Sequence, residues 1–140
     1  MNDRLFELDA AERQRVAKAI AEALDAELDL VFAYLHGSFL TPQPFHDIDV
    51  GVLLASPAIE HTRRIVDLAD GLSRRVGYPV DVRALNDAPV PYTFHMLQGE
   101  LLVSHDDSRL VSVLERTGRL YLDLEPILKQ ATREAFAPTS

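Results

Sequence analysis

The strongest constraint on the fold comes from two apolar segments of strand length and the short connection between them. The segments Leu30–Leu35 and Ile48–Leu54 are rich in apolar residues, and the connection contains Pro42 and Pro44. Parallel neighbours need a crossover connection, usually a helix, whereas this proline-rich connection is typical of a loop and is too short for a helical crossover. The sequence therefore predicts that the two strands are antiparallel neighbours.

The rest of the chain alternates between helical and strand patterns. In the helix predicted for Asp9–Leu28, an apolar residue recurs every fourth position and Asp9 with Glu12 forms a capping pair. Ser56-Pro57 is typical of a helix start, with Ser56 as the N-cap. The remaining predicted elements are a helix ending before Gly77, strands at Val80–Leu85 and Leu101–Ser104, a short helix at Pro91–Gln98, and helices at Asp106–Thr117 and Leu120–Ala137, with Pro126 marking a break or a new start.

This order indicates an α/β (α+β) fold with a small mixed sheet of about four strands flanked by helices. We expect residues 1–137 to form a single domain and residues 138–140 to be a frayed tail.

The charge and composition exclude several classes of function. The chain has 22 acidic and 14 basic side chains, a net charge of −8, and no cysteine. Direct tracking of nucleic-acid phosphates or binding to anionic membranes needs a basic surface, and thiolate chemistry needs cysteine. We see no targeting segment and no apolar stretch of about 20 residues, so we expect a cytoplasmic protein that contacts neither nucleic acid nor membrane directly.

Three aspartates interrupt the predicted strands. Asp47 and Asp49 lie at the front of the second strand on one face, with α-carbons roughly 6–7 Å apart, and Asp81 lies inside the third strand. If the third strand lies beside the second, the three carboxylates converge and repel one another unless a cation binds. All-oxygen ligand sets select Mg²⁺ or Mn²⁺, although a single aspartate at any of these positions could equally cap a turn or face water.

A glycine–serine pair ends the first strand and opens the loop towards the aspartates. Gly37 and Ser38 could present backbone N–H groups and a hydroxyl to a phosphate. Such a pair alone usually makes a turn, but it is more specific when an Asp-x-Asp strand and a later strand aspartate follow it. Arg83, two residues after Asp81, could touch a phosphate or pair with a carboxylate, and both interpretations stay open.

These motifs resemble those of a known superfamily. His36–Phe39, His46–Val52 and Pro79–Leu85 are similar to the three motifs of nucleotidyltransferases with the DNA polymerase β-like fold, and especially to the minimal nucleotidyltransferases. Leu85–Pro89 and Gln98–Asp107, together with Arg119–Glu125, resemble the distal half of the antitoxins that are paired with HEPN-domain toxins.

The resemblance implies a chemistry and a set of residues. Asp47, Asp49 and Asp81 match the catalytic, metal-binding acids, which hold two Mg²⁺ ions, with Mn²⁺ as an alternative, and Asp81 matches the general base. Gly37 and Ser38 match the pair that contacts the phosphates of ATP. An acceptor hydroxyl would attack the α-phosphorus of ATP and pyrophosphate would leave.

The loop after the pair departs from the family pattern. Between Ser38 and Asp47 the chain is a couple of residues shorter than is usual, and it has Phe39 and Leu40 where a basic residue and a glycine are common. We expect phosphate binding to depend more on the metal ions and on backbone amides.

The resemblance also implies a partner. We expect an antitoxin that transfers AMP to a hydroxyl, that of a tyrosine, on a HEPN RNase toxin encoded nearby, with the two chains forming a hetero-oligomer. An acidic surface suits a basic toxin. Two alternatives stay open, namely an antitoxin that only masks the toxin, and an enzyme that modifies a small molecule such as an aminoglycoside.

Overall fold

The computed structural model describes residues 4–136, which form eight main elements. The helices are α1 (Ala10–Asp25), α2 (His61–Val76), α3 (Val90–Met96) and α4 (Asp107–Phe136), and the strands are β1 (Leu30–Leu35), β2 (Ile48–Leu54), β3 (Val80–Ala84) and β4 (Glu100–Ser104). A short 3-10 turn at Gly37–Leu40 follows β1, and a second one at Ala58–Glu60 precedes α2.

The four strands form one mixed sheet in the order β3-β2-β1-β4. The pairs β1–β2 and β1–β4 are antiparallel, whereas β2 and β3 are parallel. The predicted antiparallel pairing of the first two strands and the predicted mixed α+β fold are both confirmed.

The helices cover the two faces of the sheet unequally. On one face, Ile20 of α1 and Leu68 of α2 belong to a buried core with Val50 and Val52 of β2. On the other face, α3 and the start of α4 contribute a smaller core around Met96. Because this second cover is short, part of the sheet face at the start of β2 and β3 stays accessible.

The first helix begins as predicted and ends earlier. Asp9 is the N-cap of α1, and its carboxylate accepts a 2.8 Å hydrogen bond from the N–H of Glu12. The helix ends at Asp25, three residues before the predicted end, and the side chain of Leu28 is 85% exposed. The prediction that Leu28 belongs to the apolar stripe was therefore wrong, because the chain turns towards β1 before reaching it.

The predicted start of the second helix was also wrong. Ser56 caps no helix, and its buried hydroxyl has no hydrogen-bond partner among residues 4–136. The 3-10 turn that Pro57 precedes comes first, and α2 begins only at His61. Its predicted end is confirmed, because Gly77 adopts a left-handed φ of +79° and donates a 2.9 Å hydrogen bond to the carbonyl of Ser73.

The last two predicted helices are one. Asp107–Phe136 is continuous through Gly118 and Pro126, against the predicted break. Proline removes the hydrogen bond to the carbonyl four residues earlier, here that of Leu122. Leu122 is 68% exposed, so this turn of the helix lies at the surface, and the helix continues with one hydrogen bond fewer. The predicted end at Ala137 and the predicted frayed tail lie outside the described residues.

Helix α4 is the longest helix of the described chain, yet it is too polar to cross a membrane, and no other helix within residues 4–136 is long and apolar enough to do so.

Candidate functional site

Three carboxylates meet at the accessible end of the sheet. Asp47 directly precedes β2, Asp49 lies in β2, and Asp81 lies in β3. Parallel pairing places Asp49 and Asp81 opposite each other. One carboxylate oxygen from each residue lies within 4.8 Å of the other two, and within residues 4–136 this is the only such group of three or more potential metal ligands. The structure therefore brings together the acids predicted to converge.

The electrostatics of this acidic trio, Asp47, Asp49 and Asp81, favour a cation. Burial, and then the negative charges of Asp47 and Asp81, raise the pKa of Asp49 from 3.8 to about 6, while His36 and Arg83 oppose this shift. A divalent cation would remove the repulsion, and three carboxylates are the oxygen donors that Mg²⁺ and Mn²⁺ prefer. The donor set thus fits a hard divalent metal ion.

The glycine–serine pair lies beside the acidic trio in a single 3-10 turn that follows β1. His36 precedes it, and its Nδ1 accepts a 3.2 Å hydrogen bond from the Ser38 N–H and lies 2.9 Å from the Ser38 hydroxyl oxygen. The backbone N–H of His36 donates to the carbonyl of Asp49 at 2.9 Å. These bonds fix the turn containing Gly37 and Ser38 to the strand that carries Asp49, and they give His36 a positioning role.

A second glycine is required behind this turn. A β-carbon at Gly99 would lie 2.0 Å from the carbonyl oxygen of Leu35 and 3.1 Å from the backbone nitrogen of Gly37. In the sequence, Gly99 is only the residue that follows the predicted helix Pro91–Gln98. Its larger role is to let the chain entering β4 pass directly against the end of β1.

A buried arginine holds the loop between the pair and the aspartates. Arg13 of α1 is 2% exposed, and its guanidinium donates 2.8 Å hydrogen bonds to the carbonyls of Leu8, Phe39 and Gln43. It also lies 5.2 Å from the ring centroid of Phe45. The loop between Ser38 and Asp47 contains no arginine or lysine. The guanidinium of Arg13, which comes from α1, anchors its interior instead.

Sequence reasoning missed Arg13, although a signal was present. It continues the apolar stripe of α1 by one turn, at helical spacing from Val16, Ile20 and Leu24, which are all buried. A charged residue in such a stripe indicates a buried hydrogen-bonded group, because an unpaired buried charge is very costly.

Arg83 lies beside the acidic trio on the other side. Its Nε is 3.3 Å from a carboxylate oxygen of Asp81, and its guanidinium carbon lies 5.5 Å from the ring centroid of Tyr92 in α3. Of the two interpretations left open, the structure shows pairing with a carboxylate. The Arg83 side chain is 62% exposed, so most of its N–H donors stay accessible.

A cavity of about 480 Å³ adjoins Arg83 at the edge of β3. Its wall comes from the region where α2 begins and from the segment that leads into α3. The residues lining it with polar or aromatic side chains are His61, Thr62, Arg83, Asp87 and Tyr92.

The other histidines of the described chain lie away from the acidic trio or serve local contacts. His46, which is next to Asp47 in sequence, pairs through Nδ1 with the carbonyl of Arg4 at 3.1 Å. His105 pairs with the carbonyl of Leu30 and with Asp25. His46 and His105 therefore serve local hydrogen bonds.

Comparison with known proteins identifies a family. The sequence profile described as polymerase beta, nucleotidyltransferase matches residues 18–108, which include the glycine–serine turn and all three aspartates. No curated protein matches the chain in sequence.

Solved structures share the fold. A chain in the structure of a tri-AMPylated Shewanella oneidensis HEPN toxin in complex with MNT antitoxin has a TM-score of 0.60 and 22% identity, and the match covers 86% of this chain and 98% of that chain. A chain in the toxin–antitoxin MntA–HepT has a TM-score of 0.56 and 19% identity, covering 89% and 99%. A chain in a toxin–antitoxin with AMP-PNP has a TM-score of 0.58 and 20% identity, again covering 89% and 99%.

Proposed function

This chain belongs to the polymerase beta nucleotidyltransferase family, and we propose that it is an antitoxin that transfers AMP from ATP to a tyrosine hydroxyl of a HEPN-type RNase toxin. The modification would block the toxin's RNase site. The carrying observation is the acidic trio together with the glycine–serine turn next to it: the backbone N–H of His36, the residue before the turn, donates to the carbonyl of Asp49. The structurally similar chains come from complexes of toxin and antitoxin, and one of those toxins carries three AMP units.

We assign the site residues as follows. Asp47, Asp49 and Asp81 would hold two Mg²⁺ ions, or Mn²⁺, because their oxygens lie within 4.8 Å of one another. The backbone N–H of Gly37 and the hydroxyl of Ser38 would contact the phosphates of ATP. Metal ions, when bound, would offset the charge of the triphosphate and favour the alkoxide form of the acceptor.

Residues of this chain would also act in the transfer itself. The acceptor oxygen would attack the α-phosphorus while the bond to pyrophosphate breaks in line with it. Asp81 would accept the hydroxyl proton. The hydrogen bonds of His36 and Arg13 would keep the phosphate-binding turn in place during transfer.

The partner follows from charge as well as from the structural likeness. With a net charge of −8, the chain suits a basic toxin, and opposite charges accelerate association. We propose a hetero-oligomer of the two chains in the cytoplasm, where ATP is available.

A second candidate is an antitoxin that neutralises its toxin by masking alone. The exposed apolar residues of α4, such as Leu122 and Ile127, favour it, because they could be buried against another chain. A variant with Asp47→Asn and Asp49→Asn would then still protect cells that express the toxin. Modification of a small molecule such as an aminoglycoside would instead require activity of the chain without any partner.

The experiment that tests the proposed function is mass spectrometry of the co-purified toxin after incubation with ATP and Mg²⁺. We expect the toxin mass to increase by one or more AMP units. A toxin that stays unmodified in the presence of folded antitoxin, ATP and Mg²⁺ would contradict the proposal.

A further inference from the structure

The β3 side of the acidic trio offers a place for an acceptor. The strand order puts β1, with its glycine–serine turn, on one side of Asp47 and Asp49, and β3, with Asp81, on the other. In an in-line transfer, the attacking and leaving oxygens lie on opposite sides of the α-phosphorus. If pyrophosphate leaves towards Gly37 and Ser38, the acceptor arrives from the β3 side.

The groups on that side suit a nucleotide better than an unmodified tyrosine. The exposed guanidinium of Arg83 uses one donor on Asp81 and leaves the others accessible, and guanidinium groups bind phosphate oxygens in pairs. The half-buried ring of Tyr92 lies under this guanidinium and lines the same cavity. Aromatic rings at such positions stack on nucleobases.

The ion pair between Arg83 and Asp81 can be exchanged. It is a single contact of 3.3 Å between side chains that are 62% and 42% exposed, and such pairs contribute little to stability. A metal ion on Asp81 would replace the arginine as its counter-charge. The guanidinium would then be free to bind a phosphate group in the cavity of about 480 Å³, which is within the size range of small-molecule sites.

We propose that Arg83 and Tyr92 form an extension subsite that binds the AMP already attached to the acceptor tyrosine, so that the enzyme adds further AMP units to it. Arg83 binds the phosphodiester of the attached AMP, and Tyr92 stacks on its adenine. This inference rests on the proposed function, and it names the residues of this chain that would allow it to add more than one AMP to the toxin.

The chemistry of extension repeats the first transfer. A ribose hydroxyl of the attached AMP attacks the α-phosphorus of a second ATP, and a new P–O bond forms. The bond between the α-phosphorus and the bridging oxygen breaks, so that pyrophosphate leaves. The hydroxyl proton passes to the carboxylate of Asp81.

The test follows the successive additions by mass spectrometry in time courses with the co-purified toxin, ATP and Mg²⁺. In the Arg83→Gln variant we expect the ratio of the second-addition rate to the first-addition rate to fall by about tenfold or more, because a charge-assisted contact to the phosphodiester is lost. Tyr92→Leu should lower the same ratio. Tyr92→Phe keeps the aromatic ring and should therefore leave the ratio at the wild-type value. Arg74→Gln removes an exposed arginine of α2 and is the matched control, with an unchanged ratio.

Several results would overturn the extension subsite. One is an unchanged ratio in folded Arg83→Gln, and another is an equal loss of all additions, which would place Arg83 on the ATP side. A wild-type enzyme that stops at one AMP would also contradict the inference while leaving the proposed function intact. A wild-type enzyme that transfers no AMP to the toxin contradicts the proposed function itself.

Discussion

Asp49 and Asp81 lie directly opposite each other in the parallel pairing of β2 and β3, so strand pairing fixes two like charges side by side. Asp47, one residue before β2, adds a third. Ordinary surface carboxylates would turn away from one another into water. Here the backbone register holds them together, and the raised pKa of Asp49 reflects the resulting repulsion and burial. Such an arrangement costs stability in the metal-free protein.

The first prediction concerns this cost. Because the folded-state pKa of Asp49 is raised from 3.8 to about 6, the folded protein binds more protons than the unfolded chain between these values. The free energy of unfolding of the metal-free protein should therefore fall as the pH rises from about 4 to about 6. Asp49→Asn should increase it at pH 7 by about 1 kcal/mol, after allowance for solvent screening.

Urea denaturation in the presence of a chelator at several pH values measures this effect. The gain from Asp49→Asn should shrink below pH 6 and be lost near pH 4. Asp87→Asn, at an exposed position outside the acidic trio, is the control. A gain of the same size at pH 4 and pH 7 would contradict the electrostatic explanation.

The second prediction concerns metal binding and pH. Protons compete with the cation for Asp49, so the stabilisation by Mg²⁺ should be larger at pH 7.5 than at pH 5.5. Thermal denaturation with and without Mg²⁺ at the two pH values gives this difference. In Asp47→Asn/Asp49→Asn the Mg²⁺ effect should be lost at both values. Equal stabilisation of wild type and variant would show that the ion binds elsewhere.

The third prediction concerns Arg13. Replacing it with methionine leaves three carbonyls without their donor, and we expect the free energy of unfolding to fall by about 2–5 kcal/mol. Arg15→Met is the matched control, because Arg15 of the same helix is exposed and, among residues 4–136, pairs only with Glu12. Chemical denaturation of both variants measures the difference. A loss of similar size in the two would contradict a special role for Arg13.

The fourth prediction compares two glycines. Gly99→Ala would place a β-carbon against the backbone of Leu35 and Gly37, and we expect a destabilisation of about 1–3 kcal/mol with weaker ATP binding. Gly118→Ala, inside α4 with open space around it, should stabilise the protein by about 0.5–1 kcal/mol. Thermal denaturation distinguishes them, and a neutral Gly99→Ala would show that the ends of β1 and β4 can separate.

Much of the fold could be predicted from local patterns. Apolar runs located all four strands, and the short connection between Leu35 and Ile48 determined the antiparallel pairing of β1 and β2. Helix boundaries were less predictable, because they depend on where the chain must turn to reach the sheet. The continuity of α4 through Pro126 was not predictable either, because a proline removes one helical hydrogen bond and a helix of this length can continue without it.

The candidate site was predictable only where the residue type itself suggests a chemistry. Aspartates interrupting apolar strands and a glycine–serine turn could be recognised, and their side-by-side placement followed once β3 was placed beside β2. The supporting contacts could not be predicted. Arg13 and Gly99 come from elements distant in sequence and act through backbone groups, and the pairing of Arg83 with both Asp81 and Tyr92 needs the placement of α3.

The most direct test of the central claim, that the acidic trio transfers AMP to a partner toxin, is an assay with ATP labelled in its α-phosphate, Mg²⁺ and the co-purified toxin. The wild-type chain should label the toxin, and Asp47→Asn/Asp49→Asn should reduce labelling by about a thousandfold or more. Asp67→Asn/Asp70→Asn, the same change of charge on exposed residues of α2, should leave labelling unchanged. Undiminished labelling by the folded Asp47→Asn/Asp49→Asn variant would contradict the claim.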